Sequence, residues 1–439
     1  MLEKGKIAVQ RTYHQSRKEE GLLPGPRVKP GTLAALDIGS SKVCALVAQL
    51  SEDGKIDITG YGMALSNGMR RGVVVDVDGT VRAVREAVEK AEDMAQTRIR
   101  GVTLGVAGTH VQSVNVRGVI GITRGDKEIF QDDVDRALEA ARVDSVPQER
   151  QIIHVLPRQY IVDGYDGIFN PVGMVGNRLE VEANIVTCSA TSLENLTRCV
   201  ARANLHVETP VLASLASGEA VLHQAERELG VAVADIGCGT TDVGIFDRHG
   251  LYHAGVIPVG GEYITKDLAV GLRTPLPMAE KIKIQHGVAL VDAARADDYV
   301  EVPDVGGSRT QKIGRRAIAE IIQPRVEEIF GLIMREITKS GRDGVLPGGI
   351  VITGGTATLE GIVEVGQDAT GLSVRVGYPE GQGGLTELVR DPACSCAVGI
   401  ICLAAQNLGY TEGVTVGGQV SGLFGDLWGR VRGWVKQSY

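Results

Sequence analysis

Two acidic, glycine-bearing turns stand at matching points of the chain, each at the end of an apolar run. Leu33-Ala34-Ala35-Leu36 leads into Asp37-Ile38-Gly39-Ser40-Ser41-Lys42. Val231-Ala232-Val233-Ala234 leads into Asp235-Ile236-Gly237-Cys238-Gly239-Thr240-Thr241-Asp242. A buried strand that runs into a tight glycine turn brings backbone N–H groups around an anion, here from Gly39 to Ser41 and from Gly237 to Thr240. The hydroxyls of Ser40, Thr240 and Thr241 add donors, and Lys42 adds a point charge. Asp37 and Asp235 are then placed to hold a hydrated Mg2+, an ion that keeps several waters and takes one or two carboxylates. One strand-Asp-x-Gly turn is ordinary turn chemistry. Two of them, with Val351-Ile352-Thr353-Gly354-Gly355-Thr356 as a third strand-to-glycine turn, point to two similar α/β halves facing one nucleotide across a cleft. Neither a glycine run ending in Gly-Lys-Ser/Thr nor a Gly-x-Gly-x-x-Gly spacing occurs, so a P-loop and a dinucleotide fold are excluded.

The elements that must position these turns can be read along the chain. Residues 1–30 are rich in Lys, Arg and Pro with few apolar anchors, the composition of a flexible basic arm, either a solvated tail or a weak contact for anionic lipid. From Leu33 short strands precede a helix over about 79–96, where Val81, Val84, Val88, Ala91 and Ala95 recur at helical spacing. The stretch between Asp37 and Asp235 is longer than half of such a fold needs, and residues 110–190 read as an inserted α+β module. It has strand-like runs at 113–116, 152–162 and 179–188 and a helix over 132–143. It carries no catalytic constellation, and His154, alone in an alternating strand, reads as structural. A smaller lobe occupies about 258–345, with a long helix over 313–339 that Pro324 should bend. The glycine-rich stretch 409–421 reads as a flexible linker.

Both tryptophans lie in the last twelve residues. At about 100° per residue, Leu423, Phe424, Leu427, Trp428, Val431, Trp434 and Val435 share an arc of roughly 140°. Asp426, Arg430, Arg432, Lys436 and Gln437 occupy the remainder of the circle. A helix over 422–439 is too short to span a bilayer and suited to lie in its surface, with indoles at headgroup depth and cations toward anionic lipid. A helix docked on the body is the alternative. Gly425, Gly429 and Gly433 each lower helix propensity by about 1 kcal/mol, so folding on the lipid and reversible attachment are expected.

Composition agrees with a multidomain globular body: 43% hydrophobic, 23% charged, net charge −8. That charge argues against general nucleic-acid binding. The seven cysteines show no Cys-x-x-Cys pair and no zinc-type spacing with histidine, as in buried thiols of a reducing compartment. No apolar run reaches transmembrane length and no apolar leader opens the chain, so the body is expected in the cytosol.

The three turns resemble the phosphate-1, phosphate-2 and adenosine motifs of the actin, DnaK-type chaperone and sugar-kinase superfamily. Further stretches narrow the likeness: Arg70-Arg71-Gly72-Val73-Val74-Val75-Asp76, His154-Val155-Leu156-Pro157, Asn170-Pro171-Val172-Gly173-Met174, Glu226-Arg227-Glu228-Leu229-Gly230 and Val302-Pro303-Asp304-Val305-Gly306-Gly307 are similar to stretches of the FtsA family of bacterial actin-like division proteins. The resemblance implies an actin-like ATPase fold of two halves around a nucleotide cleft. Its subdomains would be 1A (31–109 and 191–230), the inserted 1C (110–190), 2A (231–257 and 346–408) and 2B (258–345).

It further implies ATP with Mg2+. Glu280 and Lys283, three apart on a helix, would lie near ribose and adenine, the alternative being a solvated surface ion pair. Gly354, Gly355 and Thr356 would close over the adenosine. Relatives orient the attacking water with a Glu or Gln where this chain has Pro210-Val211-Leu212-Ala213-Ser214-Leu215-Ala216, which predicts ATP binding with slow or no hydrolysis.

The implied partners are the FtsZ C-terminal tail on subdomain 2B, other copies of the chain in a filament, anionic membrane lipid, and later division proteins through subdomain 1C. The implied place is the cytoplasmic face of the membrane at the division site. The basic cluster Arg309, Lys312, Arg315 and Arg316 suits an acidic peptide; a solvated helix start is the equal alternative. A PilM-like scaffold of a membrane-associated assembly, a DnaK-type chaperone and an ATP-dependent sugar kinase are the rival functions.

Overall fold

The computed structural model describes residues 31–143, 147–295, 297–306, 310–342, 344 and 346–407; the N-terminal arm, Arg309, the linker and the amphipathic terminal segment lie outside the described residues. The same sheet is built twice. In the first lobe the strand carrying the Asp37 turn, Thr32–Ile38, is central. It pairs antiparallel with Lys42–Leu50, which pairs with Ile56–Leu65, and on its other side it runs parallel to Gly101–Val106, followed by His206–Leu212. In the second lobe Val231–Ile236 takes the central place, with Thr241–Asp247 and Gly250–Ile257 on one side and the parallel strands Ile350–Thr353 and Val374–Val376 on the other.

Both central strands are apolar on both faces because both faces are covered. Ala34, Leu36 and Ile38 pack beneath the helix Val77–Ala95, whose Val84, Ala87 and Ala91 are fully buried, while Leu33 and Ala35 face a core between the lobes. Val231 and Val233 enter that same shared core, and Ala232, Ala234 and Ile236 face the interior of the second lobe. The shared core is filled by two helices, Ala213–Val221 and Ser395–Asn407, that cross at glycine: a Cβ on Gly399 would lie 1.7 Å from the Ala216 carbonyl oxygen.

The chain beyond about residue 380, expected in the second half, returns to the first. Gly383–Gly384 adds an edge strand beside Asp57 and Ile58, and the helix Ser395–Asn407 packs in the shared core against first-lobe strands. The pairing requires glycine, since Gly384 has φ +76° and a Cβ there would stand 2.2 Å from the Ile58 carbonyl.

The inserted module lies between Gly101–Val106 and His206–Leu212. It is an antiparallel sheet in the order Gln112–Gly121, Arg178–Ser189, Arg150–Val162, Tyr165–Ile168, with the helix Gln131–Val143 on one face and its own core around Ile129, Val134, Leu138, Leu179 and Val181. It seats on the edge of the second-lobe sheet. Ser113 Oγ donates to the Ala254 carbonyl (3.1 Å) and accepts from its amide (2.8 Å), and the Asn115 and Asn184 amides both donate to the Tyr252 carbonyl. An open sheet edge is thereby covered by polar side chains. His154 is buried in the module's base, where its Nε2 accepts from the Leu212 amide at 2.8 Å; burial pushes its pKa down to about 3, so it serves as a neutral acceptor.

The smaller part of the second lobe holds the helices Gly261–Leu272, Leu276–His286 and Arg315–Lys339 and the hairpin Tyr299–Pro303/Thr310–Gly314, and Pro324 lies inside the long helix. No helix among the described residues is long and apolar enough to cross a membrane.

Candidate nucleotide site

The two acidic turns are closed by the same bond. The Gly39 amide donates to the Lys42 carbonyl at 2.9 Å, and the Gly237 amide donates to the Thr240 carbonyl at 2.9 Å. These two amides are therefore spent inside their turns. The amides of Ser40, Ser41, Cys238 and Gly239 take no backbone partner among the described residues and remain for an anion.

The turns face each other in contact. A Cβ on Gly239 would stand 3.0 Å from Ser40 Oγ and 3.3 Å from Ser40 Cβ. Ser40 Oγ in turn accepts the Arg71 amide at 3.1 Å.

The carboxylates behind these turns sit close enough to feel one another. Burial raises the pKa of Asp37, offset in part by Lys42 and by a bond from Cys396. Asp235 is pushed up to about 6 by burial, with the Ser217 hydroxyl donating to its Oδ2 at 2.6 Å to hold it down and Asp37 adding repulsion. Asp242 is pushed up to about 7 by burial and then by Asp235; its Oδ2 accepts from Thr240 Oγ, while its Oδ1 is buried without a hydrogen-bond partner. Three acids with raised pKa and an unmatched oxygen fit a cation, which would lower all three. Among the described residues no group of three or more His, Cys, Asp or Glu side chains is arranged to hold a metal ion.

The third turn closes on the second. Gly354 has φ +85°, and a Cβ there would lie 2.3 Å from Asp235 Oδ1; Thr356 Oγ donates to the Gly237 carbonyl at 3.2 Å. The helix starting at Gly261 is stitched to the same turn by Gly261 N–H on Gly237 and Glu262 N–H on Cys238. Lys283 Nζ reaches the Gly261 carbonyl (3.2 Å), Thr265 Oγ (2.9 Å) and Glu280 Oε2 (2.7 Å). Glu280 and Lys283 are thus an ion pair anchored at the foot of the second turn.

Not every expected donor points into the cleft. Lys42 Nζ donates to the Ala393 carbonyl, and Thr241 Oγ is buried on the Val259 carbonyl. The Asp391–Ser395 segment also receives Gly354, whose amide donates to the Pro392 carbonyl at 3.1 Å, so it ties the first turn to the third. Glu219, downstream of the stretch where relatives carry a water-orienting residue, is committed to Arg227 (2.9 Å) and Gln406 (2.7 Å).

The basic cluster is divided. Arg315 bonds to Glu360 (2.5 Å) and the His286 carbonyl (2.9 Å), Arg316 faces Asp292 and Glu320, and Lys312 lies 4.8 Å over the Tyr299 ring. Sequence reading passed over Asp242, Ser217, Cys396 and Arg71. The acid at the end of the second turn was a visible signal for Asp242, whereas Ser217 shows only as a hydroxyl within an apolar helix.

The family model described as "Cell division protein FtsA" matches residues 232–399, and that of the "SHS2 domain inserted in FTSA" matches residues 108–187, the module described above. Cell division protein FtsA of Pseudomonas aeruginosa is 39% identical over 386 residues, covering 88% of this chain and 92% of the relative. That of Neisseria meningitidis serogroup B is 42% identical over 411 residues, covering 93% and 98%. The chain belongs to the FtsA family of cell division proteins. Among solved structures, the PilM-PilN type IV pilus biogenesis complex matches with a TM-score of 0.62 at 16% identity, over 85% of this chain and 98% of that one. MreB5 of Spiroplasma citri bound to ADP matches with a TM-score of 0.51 at 13% identity, over 87% and 99%. These likenesses show the fold, an actin-like one, for this FtsA-family chain.

Proposed function

We propose that this chain binds ATP with Mg2+ between its twin turns and, as an actin-like division protein, polymerises and tethers the FtsZ ring to the cytoplasmic membrane. The observation that carries the reading is the meeting of the Asp37 and Asp235 turns at one place, with free amides, hydroxyls and raised acids around it. Ser40, Ser41, Cys238 and Gly239 would hold the phosphates and Gly354–Thr356 the adenosine. Asp37, Asp235 and Asp242 would take the waters of the ion, which supplies charge neutralisation when bound. The MreB5 structure holds ADP in the same fold, which supports a nucleotide in this cleft.

Nucleotide acts here as a conformational ligand. Contacts from both lobes give the closed state the higher affinity, and closure favours subunit addition. Asp242 is pushed up to about 7, but fast hydrolysis needs a base within reach of a positioned water, and Pro210–Ala216 supplies no carboxylate or amide. A steady-state rate below about 1 per second is expected.

The terminal segment 422–439 carries the membrane contact, and the smaller part of the second lobe takes the FtsZ tail, with Lys312 and Arg316 as its exposed cations. The inserted module offers its outer face to later division proteins. Two measurements test this. Equilibrium ATP binding should require Mg2+ and be lost in Asp37→Ala and Asp235→Ala; binding unaffected by either change overturns the site. Full-length protein should float with anionic liposomes and recruit FtsZ to them, and a chain ending at residue 421 should do neither; equal flotation of both removes the tether.

A further inference from the structure

We infer that Arg71 reads the terminal phosphate of the nucleotide and is the residue by which this chain tells a triphosphate from a diphosphate. The inference rests on the nucleotide reading above and adds a residue to it. Arg71 stands where the two turns meet: its amide is bonded to Ser40 Oγ at 3.1 Å, and a Cβ on Gly239 would lie 3.4 Å from that same nitrogen.

Its backbone is held in the left-handed region, φ +50°, a conformation that costs a non-glycine residue energy and persists where surroundings impose it. The imposing contact is Gly72, φ +80°, pressed so closely on Ala107 and Gly108 that a Cβ would come within 2.4 Å of both. The side chain is thereby sent toward the opposite lobe, where Nη2 donates to the Tyr263 hydroxyl and the guanidinium lies 5.6 Å from that ring.

Charge balance singles Arg71 out. Lys266 and Arg325 flank the same tyrosine ring at 5.1 and 5.6 Å, and each already has a carboxylate, Glu262 at 2.5 Å for Lys266 and Asp267 at 2.6 Å for Arg325. Arg71 makes no ion pair among the described residues; its side-chain partner is a neutral hydroxyl. Lys42, the cation expected to meet the phosphates, is turned to the Ala393 carbonyl. A half-buried guanidinium without a carboxylate, one residue from the glycine that anchors it and one bond from the first turn, is a fork for phosphate oxygens. Tyr263 props it from the second lobe, so the phosphate that engages it also joins the two lobes.

The test is calorimetric titration of the full chain with Mg-ATP and Mg-ADP in wild type, Arg71→Gly, Arg71→Lys and Tyr263→Phe. Glycine accepts φ +50° without strain, so Arg71→Gly removes the cation and keeps the backbone; its melting temperature checks the fold. Loss of a charge-assisted fork should weaken ATP by about 10- to 100-fold and ADP by less than about threefold. Arg71→Lys should recover part of the ATP affinity, and Tyr263→Phe should keep the preference for ATP. Equal weakening of both nucleotides, or none, overturns the assignment while leaving the nucleotide site standing. Wild-type protein that binds neither nucleotide overturns the site and this role together.

Discussion

At Asp37 and at Asp235 the backbone does the same thing: a central strand ends in an acid, and the amide two residues on closes the turn at 2.9 Å. What stands behind the two acids differs. Asp37 is met by Lys42 and the Cys396 thiol, and Lys42 is anchored on Ala393. Asp235 is met by the Ser217 hydroxyl, by the second acid Asp242 and by the backbone of Gly354. The first turn therefore binds the chain to itself, tying strand to the returning Asp391–Ser395 segment. The second turn stores negative charge. The duplicated backbones differ in their surroundings: the first turn is tied to the Asp391–Ser395 segment, and the second gathers buried acids.

The comparison can be broken hardest at glycine. Gly354→Ala places a methyl 2.3 Å from Asp235 Oδ1 and 2.7 Å from the Ile236 carbonyl, at φ +85°. Gly39→Ala meets only the Lys42 carbonyl, at 3.0 Å, and Gly39 is not in the left-handed region. Urea unfolding should show a loss of about 3–5 kcal/mol for the first and about 1 kcal/mol for the second. Equal losses would mean that the third turn, seated on Asp235, is no more tightly built than the first.

The stored charge gives a pH test. The pKa of Asp242 is raised from 3.8 to about 7 in the folded chain. The folded state thus holds this proton more tightly than the unfolded one. The stability it contributes is fully present below about pH 4 and is lost as pH rises through about 7. Asparagine has no such dependence. Asp242→Asn should match wild type near pH 4 and exceed it by about 2–4 kcal/mol at pH 8, in the absence of nucleotide and Mg2+. A constant difference across that range would show that Asp242 is not strained by its surroundings.

Much of this was legible in the chain. The apolar runs before Asp37 and Asp235 mark buried parallel-sheet strands because no alternation is needed when both faces are covered. Helical spacing at Val84, Val88 and Ala91 places the first helix, and surplus length marks the module. Long-range choices were not legible. Lys42 turns away from the cleft to a carbonyl 351 residues later, a contact no local pattern encodes. Arg315 in the basic cluster is taken by Glu360, which only the packing of the long helix brings near. The chain's return to the first lobe at Gly383–Gly384 looked like any loop glycine pair. Ser217 lies in Ala-Ser-Leu-Ala-Ser-Gly, where nothing local says which hydroxyl meets an acid.

Ser217 supplies the finest test of the asymmetry. Its hydroxyl donates to Asp235 Oδ2 at 2.6 Å and favours the ionised carboxylate against the burial that raises its pKa to about 6. Ser217→Ala leaves that oxygen without its donor. The cost should be about 1 kcal/mol at pH 8, where Asp235 is charged, and smaller at pH 5, where the carboxyl carries its own proton. Beside the charge of Lys42, Asp37 has the weak donor of Cys396, so Cys396→Ser gives that acid the hydroxyl its twin already has. The expected result is of opposite sign, a gain in stability where Asp37 is ionised, read by the same thermal melts. If Cys396→Ser instead behaves as Ser217→Ala does, the two acids do not differ through their donors, and the difference must lie in Asp242 and Lys42 alone.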